Sequence, residues 1–259
     1  MLQAPPISPY DVHFRLFGWE VRVSWTFWLA AIAFGFVLVR SVQDSMRPNA
    51  PHLIVLLALW TIAMFLSILI HELGHTWMLR RYRVHSHIVL YHFGGLAIPT
   101  SGSGYGRVGT SLRPWQQFWV SAAGPLVELG SAVLLIVVIR ALGRTPEGIW
   151  MLPQSIVQSV QSDTTPLASA PLRALVIFYI VPSFLWSLLN LIPVYPLDGG
   201  QMCRAVVEAR QGDASVWIWI SVAAGVAAAI YGLKFDQLFM TMLFAVLAYQ
   251  SYRLLPHVR

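Results

Sequence analysis

Charge is what this chain has least of. Only 11% of its 259 residues are Asp, Glu, Lys or Arg, while 57% are hydrophobic. A soluble domain carries about 25% charged residues. A soluble globular chain is therefore excluded, and the composition describes a polytopic membrane protein. Cysteine is nearly missing too. The single Cys203 excludes an intrachain disulfide and a cysteine-built zinc cluster; it reads as an ordinary small apolar residue. Lysine occurs once, at Lys234. The other basic residues are arginines, gathered in the connections between apolar stretches. The net charge of +6 thus points to anchoring on anionic lipid, and no nucleic acid is expected as a partner. Residues 1–22 lack the basic start, short apolar core and small-residue cleavage site of a signal peptide. No internal repeat or large polar insertion interrupts the chain.

What is present is a series of long apolar runs. Six are expected to cross a lipid bilayer, at about 23–39, 53–79, 117–139, 172–191, 215–233 and 237–255. The expected fold class is an all-α polytopic membrane protein, one membrane-embedded domain over 1–259, with one addition. Residues 84–99 are rich in β-branched and aromatic side chains and too short to span as a helix. A small membrane-associated β-structure is expected there, between spans two and three, with Gly94-Gly95 as a turn or bulge. Thr100–Gly109 reads as a flexible loop. Residues 140–171 read as a polar loop whose Ile149-Trp150-Met151-Leu152 lies flat on the opposite surface. Six spans put both termini on one side. That side holds eleven of the seventeen basic residues and the other side six, which makes it the cytoplasmic side of a bacterial-type inner membrane.

Span two ends in Ile70-His71-Glu72-Leu73-Gly74-His75. On a helix, His71 and His75 project from one face, as two nitrogens must to share one Zn²⁺ at ~2.0–2.1 Å. Glu72 is rotated by ~100°, placed to reach a water on the metal without ligating it. An ionisable group at bilayer depth costs roughly 3 kcal/mol or more, so three in five residues are not there for packing. His85, His87 and His92 follow on the β-rich stretch; histidines on a surface strand are more often plain polar residues.

A catalytic zinc takes a third protein ligand and keeps one position open. Span four breaks up at Pro193 and Pro196, just before Asp198-Gly199-Gly200. An irregular segment is expected, rigid before Asp198 and sharply turned after it. It falls at the same membrane depth and on the same side as the two histidines, so Asp198 is the best candidate for the third ligand. Glu128 is the runner-up. It lies deeper, in Ala123-Gly124-Pro125-Leu126-Val127-Glu128 of span three, and could instead orient a zinc histidine from behind. A rival ligand set built on a glutamate would need Glu128 or Glu208.

These segments together resemble the site-2 proteases, a family of intramembrane zinc metalloproteases. The carrying residues are His71-Glu72-Leu73-Gly74-His75, Phe93-Gly94-Gly95, Ala123-Gly124-Pro125-Leu126 and Asn190-Leu191-Ile192-Pro193 through Leu197-Asp198-Gly199. The resemblance implies one Zn²⁺ per chain on His71, His75 and Asp198, with Glu72 as the catalytic base. It implies that Asn190 holds the substrate main chain near the metal. The strand region at Gly94 and Gly95 would take up the unwound substrate as an added strand. The implied substrate is a membrane protein, cut in or near a transmembrane segment. Two departures stand out. Glu128 occupies a place where the family often has a smaller or amide residue. No PDZ-like or CBS-like module is present, which leaves a minimal form. The alternative function is a non-proteolytic, zinc-stabilised membrane scaffold or binding protein, although a structural zinc would more often be closed by four protein ligands.

Overall fold

The computed structural model describes residues 6–92, 94–99 and 112–255; the loop expected at Thr100–Gly109 lies outside them. In chain order the elements are β1 (Val12–Leu16), β2 (Trp19–Val23), α1 (Trp25–Ser45), α2 (Leu53–Arg81), β3 (Ser86–Tyr91), β4 (Gly94–Pro99) and α3 (Pro114–Ala141). They continue as α4 (Gln154–Gln161), α5 (Ala170–Asn190), α6 (Asp198–Ala209), α7 (Ala214–Lys234) and α8 (Leu238–Tyr252). Among the described residues five helices, α1, α2, α3, α5 and α7, are long and apolar enough to cross a membrane. The sixth expected span is shorter than predicted: α8 has 15 residues, about 22 Å, against a hydrocarbon core of about 30 Å. Outward side chains such as Leu134, Val137, Ile230 and Phe239 are exposed and apolar. Such a surface suits an integral membrane protein, whose solvent is lipid.

The β-structure is larger than expected, and its other half comes from the N-terminus. The four strands form one sheet in the order β1-β2-β3-β4. β1 and β2 are an antiparallel hairpin, with Val12 opposite Val23. β2 runs parallel to β3, with Val21 opposite Ile88 and Val23 opposite Leu90. β3 and β4 are again antiparallel. Phe17 and Gly18 both have positive φ, 50° and 91°, as a two-residue hairpin turn requires. A phenylalanine in that conformation is uncommon, so the turn carries little signal in the sequence. Val23, expected to open the first span, instead ends β2. Gly94 and Gly95 open β4, rather than forming the turn before it.

The sheet packs under the membrane helices. Val21, Val23, Ile88 and Leu90 bury against Phe27 and Ala31 of α1 and Ile68 and Leu69 of α2. Trp60 Nε1 donates to Ala31 O at 2.7 Å, and Gly35 lies flat on the Trp60 indole with no room for a side chain. α1 is thereby fixed to α2. On the opposite end Ile149 does not lie on the surface; it is buried against α3 and α5 with Ile139, Val176 and Ile180. Trp150 stays exposed. α7 and α8 pack as a close hairpin, with Gly225 against Ala248 and Gly232 against Thr241.

The break after α5 also differs from expectation. No sharp turn follows Asp198, because Asp198 is the first residue of α6. Gly199 and Gly200 serve close packing. A Cβ at Gly199 would overlap the Leu191 and Ile192 carbonyls, and one at Gly200 would meet Tyr195 Cα at 2.7 Å. The first turn of α6 is therefore seated directly on the main chain of residues 191–195.

Candidate metal centre

His71 and His75 lie on consecutive turns of α2, both buried. Their Nε2 atoms are 3.0 Å apart. Asp198 Oδ2 reaches in from the start of α6, 3.1 Å from His71 Nε2 and 3.4 Å from His75 Nε2. Three donors held ~2.0–2.1 Å from one tetrahedral zinc would sit about 3.3 Å from one another. Among the described residues this is the one group of three His, Cys, Asp or Glu placed to hold a metal ion. His85, His87 and His92 do not form a second.

Each histidine is turned toward that point by what its other nitrogen meets. His75 Nδ1 is 2.7 Å from Val120 O. His71 Nδ1 is 2.9 Å from Glu128 Oε2. An Nδ1–H donating to an oxygen leaves Nε2 as the free lone pair, the arrangement found behind metal-bound histidines. Glu128 is completely buried, and its carboxylate is fully engaged. Oε1 accepts from Ser67 at 2.6 Å, and Oε2 accepts from Ser187 at 2.8 Å as well as facing His71. Ser183 lies 2.9 Å from Ser67. A carboxylate so placed, with hydroxyls drawn from α2 and α5, does not pay the penalty of an unpaired charge in lipid. Glu128 therefore stands behind His71 and outside the group of three donors. Glu208, the other glutamate considered, pairs with Arg204 at 2.6 Å on α6.

Gly124 completes the cradle. A Cβ there would overlap His75 Nε2, lie 2.5 Å from His75 Cε1 and 2.8 Å from His71 Nε2. It would fill the space the two nitrogens face. In the sequence this glycine stands out only as part of Ala123-Gly124-Pro125-Leu126. Its consequence, an open pocket at the donors, appears once α3 crosses α2. The same crossing puts the bare face of Gly74 against the Ala123 carbonyl.

Glu72 is buried beside the donors but is not one of them. The β4 strand runs directly past it: a Cβ on Gly95 would lie 2.5 Å from Glu72 Oε1. Tyr91, paired with Gly94 across the hairpin, is buried in the same region; burial, helped by the Glu72 charge, pushes its phenol up to about 12. Gly94 faces the Trp186 indole, and a Cβ added there would lie 3.0 Å from the ring. Asn190 ends α5, with Nδ2 donating to Trp186 O at 3.0 Å; it makes no hydrogen bond to the three donors.

Residues 59–230 match the sequence model of peptidase family M50. A zinc metalloprotease of Methanocaldococcus jannaschii is 28% identical over 156 residues, which cover 58% of this chain and 35% of that protein. Rip3 of Mycobacterium tuberculosis is 30% identical over 222 residues, 84% of this chain and 47% of Rip3. The chain spans about half or less of the length of these curated relatives. In three dimensions it is similar to the site-2 protease from Methanocaldococcus jannaschii, with a TM-score of 0.52 and 17% identity over 94% of both chains. That similarity is one of fold.

Proposed function

Because the chain belongs to peptidase family M50, we propose that it is an intramembrane zinc metalloprotease that hydrolyses a peptide bond in or near a transmembrane segment of a membrane protein. The observation that carries this reading is the convergence of His71, His75 and Asp198 beside a buried carboxylate, Glu72, that is not one of the three donors. Three protein ligands leave a fourth position for chemistry, whereas a purely structural zinc would be closed by a fourth side chain.

His71, His75 and Asp198 would hold one zinc. When bound there, zinc supplies a Lewis acid that polarises the scissile carbonyl and lowers the pKa of water towards ~7. Glu72 takes a proton from the attacking water and delivers it to the leaving amine nitrogen. Burial against β4 keeps its carboxyl in one place for both transfers. Glu128 and the Val120 carbonyl hold the imidazoles in the tautomer that offers Nε2. A helical substrate hides its carbonyls in its own hydrogen bonds and must unwind to be cut. Among the described residues β4 is an edge strand of the sheet, next to Glu72, and the unwound segment would pair along it near Gly94 and Gly95. Asn190 is assigned to the substrate main chain; the Trp186 carbonyl takes one of its amide hydrogens and leaves the other, with Oδ1, for that contact.

The membrane arrangement that fits this reading has α8 as a sixth, shorter crossing. Both termini and the opening of the site then face the cytoplasm of a bacterial-type inner membrane, in agreement with the distribution of arginines. The whole of 1–259 acts as one domain.

The reading is tested by comparing new protein N-termini in cells carrying the chain or its His75→Ala variant at matched expression. Peptides that start within or beside a transmembrane segment are expected only with the unaltered chain. Identical sets from the two would remove the protease reading. A second test concerns Glu128. Glu128→Gln keeps the shape but puts an NH2 donor in place of one of two acceptor oxygens that Ser67, Ser187 and His71 all use, and zinc affinity is expected to fall about 10–100-fold. Unchanged zinc affinity in a chelator competition would leave Glu128 with no part in the site.

A further inference from the structure

Asp198 is carried by a stretch that cannot hold itself. Residues 191–197 join α5 to α6 and belong to neither helix. Pro193 and Pro196 offer no N–H, and the segment lies between membrane helices, where an unsatisfied main-chain group is costly. Parts of it are satisfied locally: Leu197 N donates to Val194 O at 2.8 Å, and Gln201 Nε2 donates to Pro196 O at 3.2 Å. Tyr195 is not served this way. Its N–H donates to Ser221 Oγ of α7 at 2.7 Å, and its carbonyl accepts from Ser251 Oγ of α8 at 3.2 Å. The two hydroxyls are 2.9 Å apart and both buried. One proton arrangement satisfies them together. Ser221 accepts from Tyr195 N–H and donates to Ser251, and Ser251 shares its proton between the carbonyls of Tyr195 and Leu247.

We propose that Ser221 and Ser251 are positioning residues that hold Asp198 at the metal site through the main chain of Tyr195. Three observations join Tyr195 to Asp198. They are three positions apart with a proline between. Val194, fully buried, fills a pocket among Phe244 and Leu247 of α8. Gly200, in the first turn of α6, packs on the main chain of Val194 and Tyr195 with no space for a side chain. A shift of Tyr195 therefore moves the start of α6, and Asp198 is its first residue. Among the described residues the α7–α8 hairpin makes no hydrogen bond or ion pair to the three donors, yet it fixes the third of them. Ser251 lies beyond residues 59–230, the region matched to the family.

The proposal rests on the metal-site reading, and its test reads the metal, not proteolysis. Full-length protein in detergent micelles is titrated with Zn²⁺ against a chromophoric chelator, and its Co²⁺ form is followed by visible absorption. Ser221→Ala with Ser251→Ala is expected to weaken Zn²⁺ binding about tenfold and to move the Co²⁺ spectrum towards that of Asp198→Asn. In an Asp198→Asn background the same two alanines are expected to change Zn²⁺ affinity by less than about twofold, since the ligand they position is gone. Equal weakening in both backgrounds overturns the proposal, as does an unchanged affinity and spectrum in the alanine pair. Should the pair not fold, Ser251→Ala alone carries the comparison, and Ser251→Thr, which keeps the hydroxyl, is expected to restore Zn²⁺ binding; alanine and threonine behaving alike overturns it. An unaltered chain that binds neither Zn²⁺ nor Co²⁺ overturns the metal-site reading first and this proposal with it.

Discussion

Glu72→Gln is expected to slow substrate cleavage about 10²–10⁴-fold, the range assigned to a general acid–base group, while zinc content stays at one per chain. The two effects separate because Glu72 is not among the converging donors. His71, His75 and Asp198 lie within 4.8 Å of one another without it. Glutamine has nearly the same shape, so the close pass of β4 over this side chain at Gly95 is preserved and the fold is not disturbed. What is lost is the lone pair that takes a proton from water. Asp198→Asn differs in kind, since it removes charge from a donor. The measurement is a cleavage rate in proteoliposomes on a substrate found by N-terminal comparison, alongside metal analysis of the purified variant. A scaffold that uses zinc only for stability predicts that Glu72→Gln keeps every biological effect. Cleavage at the unaltered rate would remove Glu72 from the chemistry, and loss of zinc would make it a ligand.

Gly124→Ala is expected to abolish stable zinc binding, a loss on the order of 10²-fold or more, in a protein that still folds. The added methyl would overlap His75 Nε2 and sit 2.8 Å from His71 Nε2, in the space a zinc would share. Ligand distances tolerate only about ±0.2 Å, so imidazoles pushed aside by a methyl no longer converge. Helix stability is not the cause: in a helix interior alanine is favoured over glycine by roughly 1 kcal/mol. Gly130→Ala on the same helix is the control, because nothing lies within 4 Å of a Cβ there, and it should bind zinc as the unaltered chain does. Equal zinc affinity in the two variants would mean that the metal sits elsewhere.

Much of this was legible because lipid restricts what a chain can do. Apolar runs of 20 or so residues have one means of burying their main chain in a bilayer, so α1, α2, α3, α5 and α7 follow from composition and length. His71, Glu72 and His75 are readable for a related reason: helical spacing alone puts two imidazoles on one face, and their cost in lipid makes a packing role untenable. Short-range reading did less well where structure depends on distant partners. The β1–β2 hairpin gives little local signal, with a phenylalanine at a positive-φ turn position, and it becomes a strand pair because β3 stands beside it. Ile149 read as a surface residue and is buried, since α3 and α5 leave a gap over it. The glycines after Asp198 read as a turn, whereas they let α6 press against the preceding main chain.

By itself, then, the amino-acid sequence determined the membrane class and the long helices, and it singled out His71 and His75 with their neighbouring acid, and Asp198, as the residues the fold brings together. These rest on composition, on helical period and on the cost of charge in lipid, all of which act locally. Tertiary structure alone decided how the site is closed and held. It put the Gly124 backbone against the two imidazoles, three serines around Glu128 behind His71, the Val120 carbonyl behind His75, and Ser221 and Ser251 on the main chain of Tyr195. Each of these contacts joins residues at least 26 positions apart, up to the 116 that separate Ser67 from Ser183. No periodicity within one helix encodes them; they exist because α2, α3, α5, α7 and α8 cross where small residues let their backbones meet.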